Sequence, residues 1–182
     1  MKKTLIIISF FFSSSTYCAD VIQSHVTYKN KRYIASIEMI IDAPGDDVYD
    51  IFTNFNDLAQ LSDNITQSRL LSRTAAVSVV EVKTHNCVLF FCKDLTQTQR
   101  VHELNDGKIS VEDIKGKSDF IYAKTTWHIR QHNDETRVSF RTEMQPDFWL
   151  PPLLGPWLFK KRLIKETAAM LERIEELAID DD

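Results

Sequence analysis

The chain has 182 residues, with 22 basic and 26 acidic side chains, a net charge of −4 and 43% hydrophobic residues. That is enough apolar material for one substantial core, and the acidic balance argues against nucleic acid, which rewards a basic footprint. Beyond the first residues no apolar run is long and uninterrupted enough to span a membrane.

The chain opens MKKTLIIISFFFSSSTYCAD, with Lys2 and Lys3 before a short apolar run from Leu5 to Phe12 and mostly small residues from Ser13 to Ala19. This pattern predicts a secretory signal peptide over 1–19, cleaved after Ala19, and a single domain over 20–182. A lipoprotein anchor at Cys18 is disfavoured by the bulk of Tyr17. Losing two lysines and no acid would move the net charge from −4 to −6. An export signal of this kind points to the periplasm.

Residues 32–42, RYIASIEMIID, alternate as a first strand with Tyr33, Ala35, Ile37, Met39 and Ile41 on one face. Pro44 ends it, and Asp46 and Asp47 suit the start of a helix whose apolar face is Val48, Ile51, Phe52 and Phe55. A second short helical turn is expected at about Asp57 to Leu61. Six strands follow, at 65–73, 76–86, 92–104, 108–114, 120–131 and 136–145. The "NDG" at 105–107 and "HND" at 132–134 are hairpin turns in this reading, because Asn, Asp and Gly tolerate positive φ. The last two strands carry the cleanest faces: Ile121, Ala123, Thr125, Trp127 and Ile129 on one, Val138, Phe140, Thr142 and Met144 on the other. A long helix over 157–178 closes the chain, with Trp157, Ile164, Ala168, Leu171, Ile174 and Ala178 as its apolar stripe.

Without Cys18, the cysteines are Cys87 and Cys92, in "NCVLFFCKD". In an oxidising compartment, with Val88 to Phe91 as a hairpin loop, the two face each other and a disulfide is expected. Two free buried thiols are the alternative. Zinc on His85, Cys87 and Cys92 lacks an evident fourth ligand.

The order is strand, two short helices, six antiparallel strands and a long C-terminal helix. The stretches that carry a resemblance are "IDAPGDDVYDIFTNFNDLAQLSDNI" at 41–65 and "FWLPPLLGPWLFKKRLIKETAAMLERIEELA" at 148–178. Through them the chain resembles the helix-grip fold of the SRPBCC superfamily, also called START-like or Bet v 1-like. Within it the chain resembles the polyketide cyclase/dehydrase and coenzyme Q-binding START-domain family, over a core of 33–178. The resemblance implies an α+β fold in which a curved antiparallel sheet of about seven strands wraps the long helix and encloses a cavity. It further implies that the 87–92 loop, the 115–119 loop and the segment entering the last helix border the cavity mouth.

No catalytic constellation stands out: there is no phosphate loop, no G-x-S-x-G elbow and no metal-spaced cluster. No cofactor or metal is expected. Asp94, Arg100 and His102 share one strand parity, which reads either as an acid–base–cation group or as a solvated strand face; His128 is a lone strand histidine. "LTQTQRVHE" at 95–103 is polar on both faces. If one face lines the cavity, either Thr96, Thr98 and Arg100, or Gln97 and Gln99, would meet a ligand's polar head; the other reading is an edge strand wearing polar residues against pairing.

Residues 146–163, PDFWLPPLLGPWLFKKRL, hold four of the five prolines and two of the three tryptophans. The cavity and its mouth are therefore assigned Trp127, Phe140, Phe148, Trp149, Leu153, Trp157, Ile164 and Ala168. Apolar residues with Lys160, Lys161 and Arg162 behind them suit docking on an anionic membrane; the same residues would equally serve as a folded lid or core. Three functions follow. The first is an exported, monomeric binding module for a lipophilic small molecule such as a lipid, isoprenoid quinone or polyketide. The second is a cyclase, dehydratase or hydrolase acting on such a ligand. The third is an envelope protein-interaction module using the apolar rim.

Overall fold

Alternating apolar and polar residues give sheet faces that must be covered, and here one continuous sheet does most of the folding. The computed structural model describes residues 20–88, 91–148 and 155–180, so the expected signal peptide lies outside the described residues. The strands are β1 (Asp20–Lys29), β2 (Arg32–Ile41), β3 (Ile65–Arg73), β4 (Val77–Val88), β5 (Phe91–Leu104), β6 (Lys108–Ser118), β7 (Phe120–His132) and β8 (Glu135–Pro146). They form one antiparallel sheet in the order β1-β2-β8-β7-β6-β5-β4-β3. Helix α1 (Gly45–Thr53) and a 3-10 turn (Leu58–Leu61) link β2 to β3, and α2 (Gly155–Asp180) closes the chain.

The sheet has eight strands, not about seven. The additional one, β1, is an edge strand with a register shift between Val21 and Gln23, which blurs its alternation. Its turn to β2 places Asn30 and Lys31 at φ 53° and 62°, and a lysine there gives no turn signal. Strand β6 also runs on to Ser118, beyond the expected 114. Gln99 pairs with Asp113 but Gln97 pairs with Ser118, so residues 114–117 bulge out of the β5–β6 ladder. Strand β5 lies between β4 and β6, so its polar residues do not belong to an edge strand.

Residues directly opposite in antiparallel strands share a face. Ile37, Met39 and Ile41 of β2, Val138 and Phe140 of β8, Ile129 of β7, Ile109 of β6, Val101 of β5 and Val80 and Val82 of β4 are buried in one cluster with Leu171, Ile174 and Ala178 of α2. This is the concave face. Helix α2 runs along β2 in the same direction: Phe159 stacks on Tyr33 with ring centroids 5.1 Å apart, and Asp42 N donates to Glu175 Oε1 at 3.0 Å. Helix α1 plugs the Asp42 end, with Val48 fully buried and Phe52 stacked on Trp127 at 4.8 Å.

At the Asp42 end the "NDG" turn holds Asp106 and Gly107 at φ 59° and 65°, and the "HND" turn holds Asn133 at φ 57°. A Cβ on Gly107 would come within 2.1 Å of the Ile129 carbonyl oxygen, so this glycine is required by both space and conformation. Among the described residues no helix is long and apolar enough to cross a membrane.

Candidate ligand site on the open end of the concave face

The ladder also defines the opposite end of the concave face. From β2 to β5, one row runs Tyr33, Met144, Ala123, Asp113 and Gln99, because Tyr33 faces Met144, Met144 faces Ala123 and Asp113 faces Gln99. Asp113 follows Val111, the partner of Thr125, by two positions and so shares Ala123's parity. Gln99 faces Val80 and Gln97 faces Val82, both core residues, so both glutamines point to the concave side. Of the two alternatives on β5, the inward pair is Gln97 and Gln99.

These amides hold a carboxylate. Gln97 Nε2 donates to both Asp113 oxygens at 3.2 Å, and Gln99 Nε2 donates to Asp113 Oδ1 at 3.1 Å. Burial pushes the Asp113 carboxyl above its ordinary 3.8, against the hydrogen bonds from Gln97, Gln99 and Ser118, which lower it. The next row adds further polar groups. Thr125 and Thr142 share a hydrogen bond of 2.8 Å, and Ser78 is buried with its Oγ unpartnered among the described residues. A cluster of amide, carboxyl and hydroxyl groups thus interrupts an otherwise apolar face, at the Tyr33 end that the start of α2 reaches through Phe159.

The other β5 residues lie elsewhere. Thr96 and Arg100 belong to the opposite face, paired with Lys83 and with Val79 and Glu112, and Arg100 is exposed. Thr98 has that parity too but is buried, its backbone bracketed by Ser118, whose Oγ accepts from Thr98 N at 3.1 Å. Asp94 and His102 share the outer face. There Asp94 meets His85, and the three do not assemble into an acid–base–cation group. His128 is also outward, in a surface depression of about 450 Å³ with Ser36, Glu38, Thr126 and Arg141. Burial, and then Arg130 beside it, hold the His128 imidazole below its ordinary value.

Trp127 and Phe140 stack on each other at 4.5 Å within the aromatic group that includes Phe52, which puts them at the packed end. Ile164 and Ala168 are partly buried on α2. Trp157 departs from its predicted place on the buried stripe: it is 62% exposed, with Lys161 Nζ 5.7 Å from its ring. At this first turn Phe159 makes the contact with the sheet, through Tyr33, and the helical period carries Trp157 off it. Phe148 is partly buried, edge-on to Phe120 at 6.1 Å and beneath Lys93 Nζ at 4.4 Å. Trp149 and Leu153 lie outside the described residues, as do Leu89 and Phe90 at the β4–β5 tip.

Backbone bonds join two of the segments expected at the mouth, the 115–119 loop and the segment entering the last helix, and tie the first of them to β5 at Thr96, beyond the 87–92 loop. Asp119 N donates to Thr96 O at 3.0 Å, and Asp147 N donates to Asp119 O at 3.1 Å. The start of β5, the β6–β7 corner and the exit of β8 therefore meet at one end of the sheet. Asp113 was not singled out from the sequence; its parity with Ile109 and Val111 was the available signal.

A curved antiparallel sheet gripping a C-terminal helix, with short helices after the second strand, is the helix-grip architecture of START-like proteins. The profile of the family "Polyketide cyclase / dehydrase and lipid transport" matches residues 41–171, and the chain belongs to that family. A START superfamily protein from Mycobacterium smegmatis superposes with a TM-score of 0.66 at 15% identity, over 79% of this chain and 98% of that one. The ZhuI aromatase/cyclase from Streptomyces sp. R1128 gives 0.65 at 12% identity, over 81% and 93%. Human StAR-related lipid transfer protein 5 gives 0.62 at 13% identity, over 86% and 88%. At these identities the likeness establishes the fold. No curated protein matches the chain in sequence.

Proposed function

We propose that this is an exported binding protein for a neutral lipophilic molecule, held between the open end of the concave face and the first half of α2. The observation that carries the reading is the carboxyl of Asp113, turned to the concave side and held by two amides, with no cation among its hydrogen-bond partners in the described residues. An anionic head, such as a fatty acid or phosphate, would be repelled there. A hydroxyl or phenol would donate to Asp113, and a carbonyl would accept from a glutamine amide, while apolar burial supplies most of the affinity. Relatives described as lipid transfer proteins and the family's own description support the ligand class. The signal-like residues 1–19 support export, with the periplasm as the address.

The exposed Trp157, with Lys160 and Lys161 exposed in the same turns, supports peripheral contact with an anionic membrane during loading. The cyclase-type reading is favoured by one observation, the raised carboxyl of Asp113, which would suit proton transfer. Among the described residues its hydrogen-bond partners are two amides and a hydroxyl, which orient a ligand and supply no second acid or base to pair with the carboxyl.

Native mass spectrometry of protein recovered from its producing cells, followed by organic extraction, tests the proposal. A neutral, hydroxyl- or carbonyl-bearing lipophile should co-purify, and the Gln97→Leu/Gln99→Leu double variant should lose it. Retention of an anionic lipid, undiminished in the double variant, would overturn this reading.

A further inference from the structure

The β4–β5 hairpin carries a second cluster, on the outer face and away from the Asp113 site. Cys87 and Cys92 are direct cross-strand partners and are joined as a disulfide. Two residues before Cys87 on the same face stands His85, whose Nε2 lies 3.3 Å from Cys87 Sγ. The cross-strand partner of His85 is Asp94, whose Oδ1 accepts from His85 Nδ1 at 2.6 Å. Carboxylate, imidazole and sulfur thus stand in line, the carboxylate fixing which ring nitrogen faces the sulfur. A disulfide that only clips a hairpin has no use for this arrangement. Cys92 is exposed and Cys87 only partly so, which leaves one sulfur open to attack from solvent and the other beside the imidazole.

We propose that Cys87–Cys92 is an exchange-active disulfide whose partner is a dithiol, with His85 serving the leaving sulfur and Asp94 positioning His85. A thiolate of the dithiol bonds to Cys92 Sγ. The Cys92–Cys87 bond breaks, its electron pair leaves on Cys87 Sγ, and the Nε2–H of the His85 imidazolium donates to the thiolate that forms. The second thiolate of the dithiol then attacks its own first sulfur, closing a disulfide in the partner and releasing Cys92 as a thiolate that takes a proton from water. Two electrons pass from the dithiol to the protein, while the two protons the dithiol gave to water on ionising balance those that His85 and water supply to Cys87 and Cys92. The reverse sequence, in which the Cys92 thiolate opens a partner disulfide and the Cys87 thiolate, paired with the imidazolium, then attacks Cys92 Sγ, oxidises the protein and reduces the partner. Leaving-group stabilisation of this kind is a main control on thiol–disulfide exchange.

The charged groups that face His85 are Asp94 from β5 and Lys83 two residues back on β4; the β3 side contributes the Asn64 carbonyl, which accepts from His85 N at 2.8 Å. The experiment is reduction of the folded full chain by dithiothreitol between pH 5 and 9, quenched by alkylation and read by mass. With rates divided by the reductant's thiolate fraction, wild type should accelerate as pH falls through the imidazole range. His85→Ala should abolish that rise and slow reduction about tenfold at pH 6, with Asp94→Asn between the two. Oxidised glutathione, treated in parallel, sets the baseline without a histidine. Superimposable profiles for wild type and His85→Ala, or reduction no faster than global unfolding, would overturn the proposal. Should either variant fail to fold, alkylation of reduced wild type decides: a Cys87 thiolate persisting below pH 7 supports the pair, and titration near the ordinary 8.5 sinks it.

Discussion

The two ends of the concave face are built from the same strands and the same helix, yet they differ in what covers them. At the Asp42 end, Met39, Ile41, Val48, Val138, Leu171 and Ile174 are essentially without solvent contact, and Glu175, the one buried carboxyl there among the described residues, is spent on the backbone of Asp42. At the Tyr33 end the sheet offers Gln97, Gln99, Asp113 and Thr125, all partly exposed, and α1 does not reach them. One end is therefore a core and the other is a surface turned inward. A helix-grip domain separates stability from recognition along the length of its last helix, and the variants below test that division.

The largest expected effect is at the packed end. Leu171→Ala removes a fully buried side chain of the core cluster and should cost about 2–5 kcal/mol, read as a lowered denaturant midpoint. At the open end Ala168→Trp should leave the midpoint within about 1 kcal/mol while reducing ligand uptake, because Ala168 is only partly buried and, on the proposed reading, borders the ligand. Equal uptake by folded Ala168→Trp would place the ligand elsewhere. Next in size is the β4–β5 clip. Cys87→Ser with Cys92→Ser opens a loop closed over a sequence separation of five, worth about 2 kcal/mol in the entropy model.

Much of this architecture could be read from residues alone, and for physical reasons. Ile37, Met39 and Ile41 alternate because one side of β2 is dry. Leu171, Ile174 and Ala178 recur at helical spacing because α2 buries one stripe, and "NDG" and "HND" declare themselves through residues that tolerate positive φ. What escaped was set by long-range pairing. β1 is an edge strand with a register shift, and it leaves for β2 through a turn without glycine. The bulge at 114–117 depends on how β5 and β6 align, and that alignment is what brings Asp113 under Gln97 and Gln99. The face of β5 was ambiguous for the same cause: both parities are polar, and only Val80 and Val82 opposite Gln99 and Gln97 decide between them. Trp157 matched the helical period but is exposed, because Phe159 takes the contact with the sheet in that turn.

A smaller effect distinguishes the ends by pH. Burial raises both Asp113 and Glu175 above their ordinary 3.8 and 4.5. Folded chains then hold these protons more tightly than unfolded ones, so their contribution to stability is fully present below the ordinary values and is lost as pH rises through the raised ones. Asp113→Asn and Glu175→Gln should each flatten part of that loss and stabilise slightly at neutral pH. Glu175→Gln keeps an acceptor for Asp42 N; Glu175→Leu removes it and should cost about 1–3 kcal/mol instead. Only Asp113→Asn should also change ligand affinity, and a shift in affinity from Glu175→Gln would break the division between the ends.

The smallest expected change in stability is at Trp157, and it carries the sharpest functional contrast. The ring is 62% exposed at the start of α2, with Lys160 and Lys161 exposed beside it and Lys161 Nζ 5.7 Å from its centroid. A ring so exposed gives up little burial when removed, so Trp157→Ser should move the melting temperature by no more than a few degrees. Transfer of the same ring into a lipid headgroup region would recover apolar area that the folded protein leaves in water, while the lysines answer anionic lipid at about 1 kcal/mol each. Binding to vesicles containing anionic lipid should therefore fall in Trp157→Ser and in Lys160→Gln/Lys161→Gln, and high salt should weaken the wild type as the lysine pair does. A Trp157→Ser variant that melts much earlier but binds vesicles as before would identify the ring as part of the fold and remove the first turn of α2 from the membrane contact.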